Sequence, residues 1–118
     1  MNARALRLST VIGTILQLAM VTCGHWSVPL QNLFPVIGVT ISLVAGVIYG
    51  RMARDGRGAS AKAGALAGGI GAFIGVVVSM LLGDAPAYVL AVGPISSAVT
   101  GAIGGAAAGS ASLQRTSA

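Results

Sequence analysis

Charge is what this sequence has least of. Charged residues make up 8% of its 118 positions, with only Asp55 and Asp84 set against seven Lys and Arg. Ordinary globular proteins carry roughly 25%. A soluble fold of this size needs a charged skin, and so few side chains cannot supply one. Aromatic residues are scarce as well, at 4%. The basic residues lie in three separate segments with no aromatics between them, so neither a phosphate-tracking stripe nor a base-stacking platform is present. No nucleic-acid partner is expected despite a net charge of +5.

Cys23 and His25 are the single representatives of their types. One cysteine excludes an intramolecular disulfide. Nucleophilic catalysis needs a nucleophile, a base and an orienter within reach of one another. The one candidate trio is Cys23, His25 and Asp84, and read along the chain these sit on separate hairpin tips. No enzyme, metal site or cofactor is therefore expected. The basic start "MNARALR" followed by apolar residues up to Cys23 has the layout of a lipoprotein signal. Thr22 and Met20 fit such a cleavage site poorly, and a first membrane helix is the preferred reading.

What is abundant is apolar surface and glycine: 55% of residues are hydrophobic, and 18 more are glycines. Crossing about 30 Å of hydrocarbon takes about 20 apolar residues as helix. Four stretches qualify, over about 8–24, 33–50, 61–82 and 87–109, followed by a short polar tail at 110–118. None has a charge in its interior. The expectation is an all-α integral membrane protein with four transmembrane helices in a compact Gly-rich bundle, forming one four-span domain.

The connectors sort by charge. Arg4 and Arg7 precede the first span; Arg51, Arg54, Arg57 and Lys62 lie between the second and third; Arg115 follows the fourth. The other two connectors hold no Lys or Arg. Positive-inside topology then puts both termini in the cytoplasm, in a cell (inner) membrane, with anionic headgroups as partners of the basic face. Trp26 and Tyr88 fall at the outer boundary and Tyr49 at the inner one, where amphipathic rings favour the interface.

"GGIGAFIG" at 69–76 invites a dinucleotide-fingerprint reading. That motif needs a preceding strand and an acidic residue about 20 positions on. "RGASAKAGALA" is no strand, and Asp84 comes too early. The alternative is a small-residue packing seam. Gly38, Ser42, Gly46 and Gly50 recur every fourth residue along the second span, and Gly93, Ser97, Gly101 and Gly105 do so along the fourth. In the third, Gly64, Gly68, Gly71 and Gly75 follow a 4-3-4 rhythm, which favours a left-handed crossing. The first span has no such ladder, Gly13 standing nearly alone, and is expected to be the most lipid-exposed.

An offset of 55 residues aligns 11–50 with 66–105 at nine positions, from Gly13/Gly68 to Gly50/Gly105. This is consistent with two duplicated hairpins forming a parallel repeat. Gln17 is the strongly polar residue near mid-membrane in the first span, suited to an interhelical hydrogen bond or to lining a pore. Pro94 removes a backbone donor and should kink the fourth span. Ser96, Ser97 and Thr100 beside it are placed to satisfy freed carbonyls, or with Gln17 to form a polar lining.

No ionisable residue lies inside a span, where ion-coupled transport usually requires one. Two functions remain. In the first, helix–helix packing makes the chain a homo-oligomer, or a subunit or modulator of another membrane protein; Gly46→Leu or Gly101→Leu should then weaken association. In the second, an oligomer lines a permeation path for small solutes.

Overall fold

The structure is a computed structural model that describes residues 2–29, 33–84 and 86–117, with side-chain surroundings up to Gly109 and excluding Phe34. The expected polar tail thus lies outside the described side chains, as does the side chain of Arg115. Four long helices follow in chain order: α1 (Ala3–His25), α2 (Phe34–Ala53), α3 (Arg57–Leu81) and α4 (Val89–Ser117). No strand occurs among the described residues. The helices run up, down, up and down in a bundle measuring 49 × 21 × 20 Å. Its long axis exceeds the roughly 30 Å of a hydrocarbon core.

Local chemistry accounts for the ends. Asn2 caps α1, its side-chain oxygen accepting from the Ala5 N–H at 3.1 Å, which satisfies one of the four orphan donors of a helix start. Pro35 stands in the first turn of α2, where its missing donor costs nothing. The reversal into α3 uses Arg54 at φ 53° and Gly56 at φ 96°. The left-handed conformation is free for the glycine and costs the arginine about 1 kcal/mol.

The bundle is packed inside out relative to a soluble protein. All nine buried residues of α3 are Gly, Ala or Ser: Ser60, Ala63, Gly64, Ala67, Gly68, Gly71, Ala72, Gly75 and Ser79. Large side chains point away instead, as with Val11, Ile15, Phe73, Ile95, Val99 and Ile103, all exposed. An exposed apolar shell around a core of tiny residues is stable only where the surroundings are apolar too. The four helices are each long and apolar enough to cross a bilayer. The chain is a multi-pass membrane protein.

Helices α2 and α3 each touch all three of the others, whereas α1 and α4 make no contact with one another. The small-residue ladders occupy the contacts. A methyl group built on Gly46 or Gly64 would run into the carbonyl oxygen of Gly101, and one on Gly105 into that of Ser60. One on Gly50 would come within 2.7 Å of the Gly109 nitrogen, and one on Gly68 within 2.7 Å of the Ser97 oxygen. Backbones this close gain dispersion and Cα–H···O contacts that any side chain would prevent. The α3 stripe meets two neighbours in turn: Gly64 and Gly68 face α4, whereas Gly71 and Gly75 face Thr14 and Gln17 of α1.

One expectation about α1 needs correction. Its buried face is Ala5, Ser9, Gly13, Gln17, Val21 and Gly24, so a short ladder of small residues four apart does exist there, written in Ala and Ser as well as Gly. In exposure α1 and α4 are equal: 22% of the most apolar 18 residues of each is buried, against 28% for α2 and 39% for α3. Tyr49 lies at the end carrying the basic residues, but its side chain is fully buried within the bundle.

Because the seams lie within one chain, Gly46→Leu should destabilise the folded monomer itself, by at least the roughly 1–3 kcal/mol typical of overpacking. Gly58→Ala is the control, since nothing lies within 4 Å of the added methyl. Unfolding in mild detergent should show a lowered midpoint for the first variant and none for the second. A Gly46→Leu protein that loses association while keeping monomer stability would assign the seam to an interchain contact instead.

Candidate functional site

Three polar arrangements interrupt this apolar bundle, one at each end and one inside. At the end carrying the basic residues, the buried Tyr49 hydroxyl accepts from the Asn2 backbone N–H at 2.8 Å and donates to Asp55 at 2.7 Å. Ser60 donates to the other Asp55 oxygen at 3.1 Å. The start of α1, the end of α2 and the first turn of α3 are thereby joined through one carboxylate. Partial burial works to raise the Asp55 pKa, but the Tyr49 and Ser60 hydroxyls outweigh it and hold the carboxyl below its ordinary range. Around this junction Arg4, Arg7, Arg51, Arg54, Arg57 and Lys62 are all exposed.

At the opposite end His25 Nδ1 and Asp84 Oδ2 lie 2.8 Å apart, linking the end of α1 to the connector after α3. Sequence reading left them on separate tips. The bundle brings the tips together, and the Asp84 N–H donates to the Ser79 carbonyl at 2.9 Å. Cys23 is exposed and free. No group of three metal-ligating side chains forms among the described residues.

Between these ends a cavity of about 460 Å³ opens in the half of the bundle nearer His25. It lies in the gap where α1 and α4 fail to meet. Along the bundle its lining runs from Gln17, Ala72, Ser96 and Ser97 near mid-span, past Val39, Gly75, Val76 and Gly93, to Asp84, Pro86 and Tyr88 at the His25 end. Gln17 is 3% exposed, and its Nε2 donates to the Gly38 carbonyl at 3.1 Å. That carbonyl also accepts from the Ser42 hydroxyl at 3.0 Å. Gly75 makes room for the glutamine: a methyl there would sit 3.1 Å from Gln17 Cβ.

Of the residues suggested as a polar lining, Gln17, Ser96 and Ser97 come together in this cavity and Thr100 does not. The Thr100 hydroxyl bonds instead to Ser96 O, four residues back on its own helix, at 2.8 Å. It therefore does not serve the carbonyl of Leu90 that Pro94 leaves without its usual donor. Pro94 lies inside α4, which continues through it. Gly93 next to it allows Val76 to approach, a methyl at that position falling 3.1 Å from Val76 Cγ2. Sequence reading missed Ser79, which lines the cavity from α3, and the junction of Tyr49, Asp55 and Ser60. A serine one turn beyond Gly75 in a Gly/Ala/Ser stripe was the available signal for the first.

No protein-family model, no curated protein and no solved structure matches this chain.

The junction at the basic end generates a pH prediction. Because Asp55 titrates below its ordinary value of 3.8 when folded, its contribution to stability is complete above that value and is lost as pH falls below it. Acid should therefore lower the unfolding midpoint of the native protein below about pH 4, and Asp55→Asn should remove that step. Tyr49→Phe, which strips the buried hydroxyl from both its partners, should cost about 1–3 kcal/mol at neutral pH.

Proposed function

We propose that the protein is a membrane-embedded binding module that admits a small solute into the α1–α4 cavity. The observation that carries this reading is the division of the bundle. In the basic half the backbones of α2, α3 and α4 close on one another at glycines; toward His25 residues of all four helices line a cavity of about 460 Å³. Cavities of roughly 300–1,000 Å³ with mainly apolar walls and a few convergent polar groups are the usual form of small-molecule sites. The sealed half supports binding over an open pore: conduction would require the seams at Gly46, Gly64 and Gly101 to part.

The basic end fits the cytoplasmic face of a cell membrane, where its exposed arginines and Lys62 meet anionic headgroups. The cavity then lies in the half of the bundle toward the other face. Association with another copy or another membrane protein is a second reading. A ridge of β-branched residues four apart on α4, Ile95, Val99 and Ile103, favours it, since each is exposed and none is spent on the fold.

Two measurements separate these functions. Purified protein in detergent should enhance the emission of N-phenyl-1-naphthylamine, a polarity-sensitive apolar dye, and Gly93→Leu, which fills the cavity, should abolish the effect. Unchanged dye binding in that variant would remove the cavity from the function. Liposomes holding the protein should show no added leak to small uncharged solutes; a rapid flux would replace the binding module with a permeation path.

A further inference from the structure

The cavity's chemistry narrows what it takes. No Lys or Arg lines it, so an anion finds no counter-charge. Among the described residues its carboxylate is Asp84, at the His25 end, already held by His25 at 2.8 Å. A cation drawn toward mid-span would meet no negative group, and burying an unpaired charge there is prohibitive. Tyr88 is the aromatic residue of the described lining and also lies at the His25 end. The walls are aliphatic: Met20, Val21, Val39, Val76, Val89 and Val92.

Three polar side chains in this wall, Gln17, Ser79 and Ser97, are nearly wholly buried, and the first two have hydrogen-bonding capacity left to offer. Gln17 uses its amide N–H on Gly38 and Ser42, which turns the amide plane and leaves its oxygen among lining groups, 3.7 Å from where a methyl on Gly75 would sit. Ser79, one helical turn beyond Gly75, is 2% exposed, and its hydroxyl has no hydrogen-bond partner in the protein. A buried hydroxyl without a partner costs about 1–3 kcal/mol, and native structures tolerate few of them. Thr10 shares that condition but does not line this cavity. In Ser79 an unspent donor and acceptor lines the same cavity as the Gln17 amide, one helical turn from the Gly75 that Gln17 packs against.

We infer that the cavity binds an uncharged aliphatic molecule bearing one hydroxyl or amide group, with Ser79 Oγ and the Gln17 amide receiving that group and the valine walls receiving the chain. The inference rests on the solute-binding reading above and names its ligand class. At a liquid-like share of about 30 Å³ per water-sized group, the volume suits a molecule with on the order of fifteen non-hydrogen atoms. Such a molecule can arrive dissolved in the bilayer or from water.

Competition against N-phenyl-1-naphthylamine tests this on the full chain in nanodiscs. The competitors are 1-dodecanol, dodecane as its partner without the hydroxyl, and 1-hexanol added from water. In the wild type, dodecanol should displace the dye roughly ten-fold better than dodecane, the scale of one net hydrogen bond. Ser79→Ala should erase most of that preference while leaving dodecane unchanged. It breaks no internal hydrogen bond, so it folds even if Gln17→Leu does not. Thr100→Ala, outside the cavity, should keep the preference. Displacement by hexanol at concentrations that leave the bilayer intact assigns an aqueous source; displacement by dodecanol alone assigns the bilayer. Equal competition by dodecanol and dodecane in the wild type overturns the ligand class, as does a Ser79→Ala protein that retains the wild-type preference. A dye that never binds, or that Gly93→Leu fails to exclude, overturns the solute-binding reading itself.

Discussion

Three helix backbones converge where Gly46, Gly64 and Gly101 meet, and no side chain fits between them. The rest of the bundle is built around that approach. Among the described residues, six of the eight buried apolar side chains are alanines, joined by Val21 and Tyr49. At about 25 cal/mol per Å² of apolar area buried, such a core would stabilise a soluble chain poorly. In lipid the comparison changes, because the tails around the bundle are as apolar as any leucine. There, contact distance decides stability, and glycine, alanine and serine allow the shortest distances. The exposed Ile15, Phe73 and Ile103 then face a solvent that suits them.

The 4-3-4 spacing on α3 ties this packing to the cavity. At 3.6 residues per turn a three-residue step cancels most of the drift of the four-residue steps beside it, so the stripe stays on one face of α3. What changes along it is the neighbour: α4 covers Gly64 and Gly68, and α1 covers Gly71 and Gly75. One face of α3 thus serves two helices that do not touch each other. The duplicated pattern in the two hairpins does not lead to equivalent packing, since the α2–α3 contact has no α1–α4 counterpart. The cavity lies at that departure from symmetry.

Much of this architecture was legible from residues alone. Hydropathy located all four spans, although α1 begins at Ala3 and α3 at Arg57, several residues before their apolar windows. The cause is that helical backbone continues past the hydrocarbon while carrying Arg4, Arg7, Arg57 and Lys62 with it. The glycine ladders of the second and fourth spans were visible because glycine is distinctive. The matching ladder of α1 was not, because Ala5 and Ser9 look ordinary until they are found packed. Gln17 drew notice as the lone amide in its span; Ser79 did not, since a serine in an apolar helix usually bonds to its own backbone. The meeting of His25 with Asp84, and of Tyr49 with Asp55 and Ser60, depends on how four helix ends are gathered, which no local pattern encodes.

A cavity in a bundle whose other half is closed backbone to backbone has a mechanical consequence. Any rearrangement that swings α1 toward α4 would shrink the molecule by a sizeable part of the 460 Å³ between them, and compression favours the state of smaller volume. Hydrostatic load would thus favour the empty, narrowed bundle, and an occupant of the cavity would oppose it.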